Sequence, residues 1–221
     1  MDFDFSPIWD SRFYLLHGLG VTLLLSVATV ATSLVVGGAV GLARCYGPRG
    51  VVLPLTFYID SMRSIPVLVV LVWVYFAFPI LTGVTLPPFW AALAALTLHI
   101  AAYVAEIVRA GIASVRPGQM RAAVALGMSR AQAVRKVILP QSIVRMLPAF
   151  ASIISITIKD TAIAAVIAVP EYMESSQTVA GQSFHPIEVF TVAMVVYFLI
   201  LFPTTRLIDM IYARLAHLGR S

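Results

Sequence analysis

The sequence is poor in charged residues, because Asp, Glu, Lys and Arg together make up only 11% of its 221 residues. Soluble domains carry roughly a quarter charged residues, whereas 60% of this chain is hydrophobic and its mean hydropathy is +0.95. The scarcity of charge excludes an ordinary soluble domain and indicates an integral membrane protein. A bilayer core of about 30 Å needs about 20 apolar residues per helix, which leaves room for roughly five spans.

Other residues and motifs are also scarce, and each absence excludes a class of chemistry. Cys45 is the only cysteine, so an intrachain disulfide is excluded. The chain has only two lysines and no Gly-x4-Gly-Lys-Ser/Thr phosphate loop, so we do not expect it to bind ATP by that route. The histidines lack the spacing of metal ligands; they are His17, His99, His185 and His217.

Five hydrophobic segments are long enough to cross a membrane. We predict spans at about residues 18–43, 51–78, 89–111, 143–169 and 187–212. Lys and Arg occur in every second connection and in the tail, which carries Arg206, Arg214 and Arg220. The positive-inside rule then places the N-terminus in the periplasm and the C-terminus in the cytoplasm. The net charge of +5 therefore indicates cytoplasmic loops rather than binding of nucleic acid.

The longest basic connection, about residues 116–140, has the pattern of two short helices that meet at a bend. The residues before Gly127 are rich in Ala and Leu, which favour helix, and glycine permits the backbone at which a helix ends. Ser129 and Gln132 have the spacing of a capping box that begins a second helix, and we expect Pro140 to end it. This pattern favours a protein-docking element over a lipid-binding amphipathic helix or a solvated loop.

Ionisable residues in the fourth predicted span indicate a polar path, because a charge inside a membrane is costly unless it faces a cavity or a partner. Lys159 and Asp160 lie roughly 24 Å along this span from its start. They point about 100° apart, so each needs its own partner, while Ser155 shares the face of Lys159. Unlike charges suit a zwitterionic amino acid, so we predict a substrate path here.

Polar residues in the second and third predicted spans leave two alternatives open. Asp60 and Arg63 are three residues apart and can pair directly, so they either form a structural ion pair or contact a substrate. His99 is either a satisfied buried histidine or a substrate contact. We expect Pro66 to kink or loosen the second span.

Further charges lie near the ends of the predicted spans. Glu106 and Arg109 have the same spacing of three residues, and we expect them to brace the base of the basic loop. Residues 171–174, which contain Glu171 and Glu174, face outside on this topology. We expect a solvated loop there, which could contact a substrate-delivery protein.

Several motifs, in order along nearly the whole chain, resemble the permease subunits of ABC importers for polar amino acids. The EAA motif of these permeases is Glu-Ala-Ala-x3-Gly-x9-Ile-x-Leu-Pro, and its matches here are Ala122, Ala123, Gly127, Leu139 and Pro140. Arg121 stands where Glu is usual, and Val137 stands in place of Ile. The other matching segments are 63–66, 102–112, 118–119, 125–128, 138–141 and 159–161.

The resemblance implies an all-α integral membrane protein of the bacterial inner membrane, with five transmembrane helices as in type I ABC importers. It implies that the loop docks on a cytoplasmic ATP-binding subunit, which would bind ATP and Mg, so that this chain is a transport subunit rather than an enzyme. The other implied partners are a second permease subunit, an extracytoplasmic amino-acid-binding protein and membrane lipid.

Two sets of candidate residues follow from the resemblance and the charges. The expected ATPase-coupling residues are Arg121, Ala122, Ala123, Leu126, Gly127, Met128, Ser129, Leu139 and Pro140. The expected substrate-path residues are Lys159, Asp160, Ser155, Arg63, Ser64 and His99. The segment that begins at Arg63 looks most like the glutamate/aspartate branch of the family. The alternative is an ion-coupled carrier or channel, which usually has more spans and inverted repeats and no use for a docking loop.

Overall fold

The structure is a computed structural model that describes residues 3–215, and these residues form helices and no strands. The predicted tail charge Arg220 and His217 lie outside the described residues. The helices of the described part are α1 (Ser6–Asp10), α2 (Arg12–Tyr46), α3 (Arg49–Ser64), α4 (Val67–Thr82), α5 (Pro88–Ala113), α6 (Pro117–Ala125), α7 (Arg130–Ile167), α8 (Tyr172–Ser183) and α9 (Pro186–Leu215).

Within residues 3–215, the helices α2, α5, α7 and α9 are each long and apolar enough to cross a membrane, and α3 and α4 pass the same test only as a pair bent by 110°. The bend falls at Ile65 and Pro66, because a proline disfavours helical backbone in the residue before it. Ile65 accordingly has extended backbone, with φ −92° and ψ 132°. The expected kink at Pro66 and the all-α fold are confirmed, and the described residues contain four candidate spans, or five when the bent pair of α3 and α4 counts as one.

Two of the prolines that lie inside helices each follow a π-helical turn. The π turn Val134–Ile138 precedes Pro140 in α7, and the π turn Trp73–Ala77 precedes Pro79 in α4. A proline ring clashes with the carbonyl group four residues before it, and in both helices that carbonyl belongs to the wider π turn. The prediction that Pro140 ends the second loop helix is therefore wrong, because α7 continues through it.

Glycines of α2 allow a close approach to α5. A Cβ atom added at Gly37 would lie 2.5 Å from the carbonyl oxygen of Ala101, and one added at Gly41 would lie 2.8 Å from that of Ala105. Small residues four positions apart let helix backbones approach each other in a membrane, where van der Waals packing drives helix association. The close contact between α2 and α5 therefore depends on the lack of a side chain at Gly37 and Gly41.

Three clusters of buried apolar side chains hold the helices together. The first, named here the central cluster, joins α2, α4, α5 and the end of α7, and includes Leu25, Val70, Leu71, Ala91, Leu96 and Ala164. The second joins α5 and α7 through Ile100, Val104, Val108, Met146 and Ile153. The third joins α2, α8 and α9 through Leu15, Tyr172, Val179, Val189 and Ala193.

Candidate functional sites

The turn between α6 and α7 is held by its own backbone. Gly127 has φ +85°, a conformation that glycine adopts without the steric cost of a Cβ atom. The amide of Gly127 donates to the carbonyl oxygen of Val124 at 3.0 Å, and the amide of Met128 donates to that of Ala123 at 3.1 Å. These two bonds form the Schellman arrangement that ends many helices. The predicted helix end at Gly127 is confirmed.

A capping box then starts α7 at the predicted residues. The hydroxyl of Ser129 accepts a hydrogen bond from the amide of Gln132 at 3.2 Å, and the side-chain oxygen of Gln132 accepts one from the amide of Ser129 at 2.9 Å. A cap of this kind contributes about 1 kcal/mol to helix stability. Both ends of the turn are therefore fixed by local hydrogen bonds.

The turn presents an apolar side chain outward while small side chains close the space behind it. Leu126 is 81% exposed, whereas Ala123 and Ala133 are buried where α6 meets α7. Of the other predicted coupling residues, Met128 and Leu139 are half-buried, and the exposed ones are Arg121, Ala122, Gly127, Ser129 and Pro140. The surface thus combines one protruding leucine with exposed polar and small residues.

A groove of about 840 Å³ lies beside this turn, between α6, the start of α7 and the end of α2. The lining residues are Tyr46, Met120, Arg121, Val124, Ala125, Arg130, Ala131 and Val134. Within the part of the chain that the structure describes, neither Arg121 nor Arg130 has a carboxylate oxygen within 4.0 Å. The groove is therefore apolar with two uncompensated guanidinium groups.

An ion-pair network braces the base of the loop. One carboxylate oxygen of Glu106 lies 2.6 Å from a guanidinium nitrogen of Arg109, so the expected pair is confirmed. The other lies 2.6 Å from a guanidinium nitrogen of Arg44, at the end of α2. Sequence spacing did not indicate Arg44, because it is 62 residues away. Arg145 of α7 adds a hydrogen bond to the carbonyl oxygen of Ser114, after the end of α5.

The structure brings the predicted substrate-path segments to the central cluster. Ile65, which follows Arg63 and Ser64, packs against this cluster, and so does Ile163, which follows Asp160. Leu96 of the cluster lies one helical turn before His99 on α5. The three segments are therefore neighbours around one apolar centre. Ser155 lies earlier in α7, two residues after Ile153 of the second cluster.

Arg63 and His99 are linked through Tyr103, a residue that the sequence analysis did not single out. The guanidinium carbon of Arg63 lies 5.7 Å from the centre of the Tyr103 ring, a distance at which cation–π attraction operates. The rings of His99 and Tyr103 are 5.3 Å apart. Among residues 3–215, the buried Nδ1 of His99 has no hydrogen-bond partner. This nitrogen can therefore accept a partner, and the role of His99 as a substrate contact stays a prediction.

The direct Asp60–Arg63 pair is wrong, since these side chains form no ion pair in the described structure. The Asp60 backbone instead accepts a hydrogen bond from the hydroxyl of Ser64 at 2.7 Å. The guanidinium group of Arg63 lies over the ring of Tyr103. Both Arg63 and Asp60 are exposed. The spacing of three residues on one helix allowed the pair but did not require it.

Lys159 and Asp160 end the α-helical part of α7, and a 3-10 turn, Thr161–Ile167, follows. Lys159 is exposed, while Asp160 and Ser155 are half-buried. Within residues 3–215 the two charges form no ion pair with each other. This agrees with the angle of about 100° between adjacent residues on a helix.

The expectation of a solvated acidic loop after α7 is wrong, because Glu171 is fully buried. Its carboxylate accepts hydrogen bonds from the amide of Glu174 at 2.8 Å, the hydroxyl of Thr22 at 3.1 Å and that of Tyr197 at 3.5 Å. Burial raises the pKa of the Glu171 carboxyl, and these hydrogen bonds oppose that rise in part. Glu171 thus caps α8 and ties it to α2 and α9, a role that needed the tertiary structure to be seen.

Comparison with known proteins assigns the chain to a family. Residues 33–217 match the family described as "Binding-protein-dependent transport system inner membrane component". The chain is 37% identical to the probable amino-acid ABC transporter permease protein YckA of Bacillus subtilis (strain 168), over 85% of this chain and 82% of that one. It is 35% identical to the glutamine transport system permease protein GlnP of Escherichia coli (strain K12), over 90% and 92%.

A solved structure supports the same assignment. An amino acid ABC transporter crystallised with histidines contains a chain that superposes with a TM-score of 0.90 at 31% identity, covering 97% of this chain and 100% of that one. An inward-facing MetNI methionine ABC transporter shares the fold, with a TM-score of 0.79 at 20% identity over 93% and 98%. The chain therefore belongs to the binding-protein-dependent transport system inner membrane components, and it is a permease subunit of an amino-acid ABC importer rather than an enzyme.

Proposed function

We propose that residues 119–140 couple this permease to a cytoplasmic ATP-binding subunit. The observation that carries the proposal is the continuity of α7, which runs without a break from the loop at Arg130 past Lys159 and Asp160. A helix of 38 residues spans about 57 Å, so a push on the capped turn displaces the far end as well. A flexible connector would absorb that motion.

The partners follow from the family and from the distribution of charge. The basic connections lie in the cytoplasm, where the ATPase subunit binds ATP and Mg²⁺ and closes on the turn at Leu126. A second permease subunit, identical or related, completes the translocation path. An extracytoplasmic amino-acid-binding protein delivers the substrate from the opposite side.

The substrate we propose is an acidic amino acid, glutamate or aspartate. Arg63 and Lys159 supply two positive charges and Asp160 supplies one negative charge, which complements an amino acid with two carboxylates and one ammonium group. The free Nδ1 of His99 and the hydroxyl groups of Ser64 and Ser155 add hydrogen-bonding capacity. The relative GlnP is named for glutamine, whose side-chain amide has the same shape without the second charge.

Co-purification tests the coupling. Tagged full-length permease is expected to retain an ATP-hydrolysing subunit, and Leu126→Glu is expected to release it by placing a charge on the docking side chain. Phe184→Glu is the matched control, since Phe184 is 87% exposed but lies at the end of α8. Accumulation of amino acid by the chain alone in liposomes under an ion gradient would contradict the proposal.

Amino-acid selectivity tests the substrate. In the reconstituted complex with its binding protein, we expect glutamate or aspartate to stimulate ATP hydrolysis most strongly among a panel of amino acids. Lys159→Ala removes one of the two cations and should abolish that preference. Lys136→Ala, which alters the other lysine of the chain, should leave the order of the amino acids unchanged. Unaltered selectivity in Lys159→Ala would remove Lys159 from the substrate path.

A further inference from the structure

The groove beside the coupling turn has the chemistry of a receptor for a side chain. Arg121 on α6 and Arg130 at the start of α7 both line it, and the apolar walls include Val124 and Val134. Its volume of about 840 Å³ leaves room for a protein side chain. Tyr46, at the end of α2, closes the third side.

None of the residues that line this groove is acidic. Between Glu106 and Asp160 the sequence contains neither Asp nor Glu. From residue 116 to residue 145 it contains six cations, namely Arg116, Arg121, Arg130, Arg135, Lys136 and Arg145. Since neither Arg121 nor Arg130 has an ion-pair partner among residues 3–215, a carboxylate of another molecule can pair with both.

We infer that the groove receives an acidic side chain of the ATPase subunit, whose carboxylate contacts Arg121 and Arg130 while its methylene groups contact Val124 and Val134. The inference rests on the proposed coupling function and specifies the chemistry of the partner. The EAA motif has Glu where this chain has Arg121, so the polarity of the contact is reversed and an acidic partner residue becomes complementary. Guanidinium groups bind carboxylates through paired, charge-assisted hydrogen bonds.

The composition of the groove favours a protein side chain over a lipid headgroup. Sites that attract anionic lipid are clusters of 4–8 Lys or Arg at the membrane surface, by the usual pattern. Only two of the six cations between residues 116 and 145 line the groove, and five of its other six lining residues are Ala, Val or Met. Covering these apolar walls with carbon atoms is favourable, because it removes apolar surface from water. A Glu or Asp side chain has methylene groups that can do this beside its charge.

Binding of the co-purified ATPase subunit to full-length permease in phosphatidylcholine nanodiscs tests the inference. We expect Arg121→Glu and Arg130→Glu each to raise the Kd about tenfold at about 0.1 M salt. The rise should be smaller at about 1 M salt, because salt screens the charges. Arg49→Glu is the matched control because Arg49 is exposed and lies outside both the groove and residues 119–140, and its Kd should change less than twofold. Changing one acidic residue of the ATPase face to Arg should restore binding to Arg121→Glu.

Three outcomes would overturn the inference, and each has a different meaning. If both groove variants bind like Arg49→Glu while Leu126→Glu does not bind, the docking stands and the acidic contact is wrong. If Leu126→Glu also binds normally, the proposed coupling itself fails. If the groove variants lose affinity only in nanodiscs that contain phosphatidylglycerol, the groove binds a lipid headgroup instead.

Discussion

Substituting Gly37 by Ala should destabilise the protein, although alanine is the better helix former. The added Cβ atom would lie 2.5 Å from the carbonyl oxygen of Ala101 and 2.6 Å from the Cβ of Val104. Both neighbours belong to the rigid part of α5, so the clash cannot be relieved by turning a flexible side chain. The helices α2 and α5 have to separate.

The magnitude follows from a comparison with Gly38→Ala on the same helix. No heavy atom lies within 4 Å of a Cβ atom added at Gly38, so that variant gains helix propensity, about 1 kcal/mol, without a clash. Gly37→Ala has the same gain but forces the core apart, which typically costs about 1–3 kcal/mol. The two variants should therefore differ by about 1–3 kcal/mol, or about 2–12 °C in Tm for a chain of this size.

Thermal unfolding of the purified protein in detergent, followed by circular dichroism, measures this difference. The comparison cancels the helix propensity, because both substitutions are Gly to Ala in adjacent positions of α2. Gly41→Ala should fall below Gly38→Ala as well, because its Cβ atom would lie 2.8 Å from the carbonyl oxygen of Ala105. A Tm for Gly37→Ala that equals or exceeds that of Gly38→Ala would refute the reasoning.

Two further predictions concern the coupling turn and the buried carboxyl. Gly127→Val places a β-branched residue at φ +85°, which costs about 1–2 kcal/mol and misdirects the turn, so substrate-stimulated ATP hydrolysis should fall. Gly118→Val, in open space, should retain it, and equal activities would contradict the role of the turn. The pKa of the Glu171 carboxyl is raised above its ordinary value of 4.5, so the folded state binds the carboxyl proton more tightly than the unfolded state does. The stability of the wild-type protein should therefore fall as the pH rises from 4.5 through the raised pKa. Glu171→Gln should lack that fall in Tm, and identical pH profiles would show that Glu171 does not titrate with folding.

Local features of the fold could be predicted because they depend on neighbouring residues. The capping box of Ser129 and Gln132, the helix end at Gly127 and the kink at Pro66 each need only a few adjacent residues to be satisfied. The Glu106–Arg109 pair is local in the same sense. In each case the spacing of the residues along the chain is enough to predict the local structure.

Features that depend on distant contacts could not be predicted. The partner Arg44 reaches Glu106 from another helix, and Arg63 lies over the ring of Tyr103 on α5 rather than against Asp60. Pro140 continues a helix that it was expected to end, because a π turn before it widens the backbone. Each error concerned a local preference that packing or helix geometry overrode.

The sequence by itself determined that this protein lies in a membrane, has an all-α fold and carries a basic loop with a capped bend, because composition and short-range spacing control those properties. Only the tertiary structure decided that Glu171 is buried against Thr22 and that α7 connects the loop to Lys159 without a break. It also placed Arg121 and Arg130 in one groove. The physical reason is that burial, orphaned polar atoms and uncompensated charges are properties of surfaces that meet across the fold.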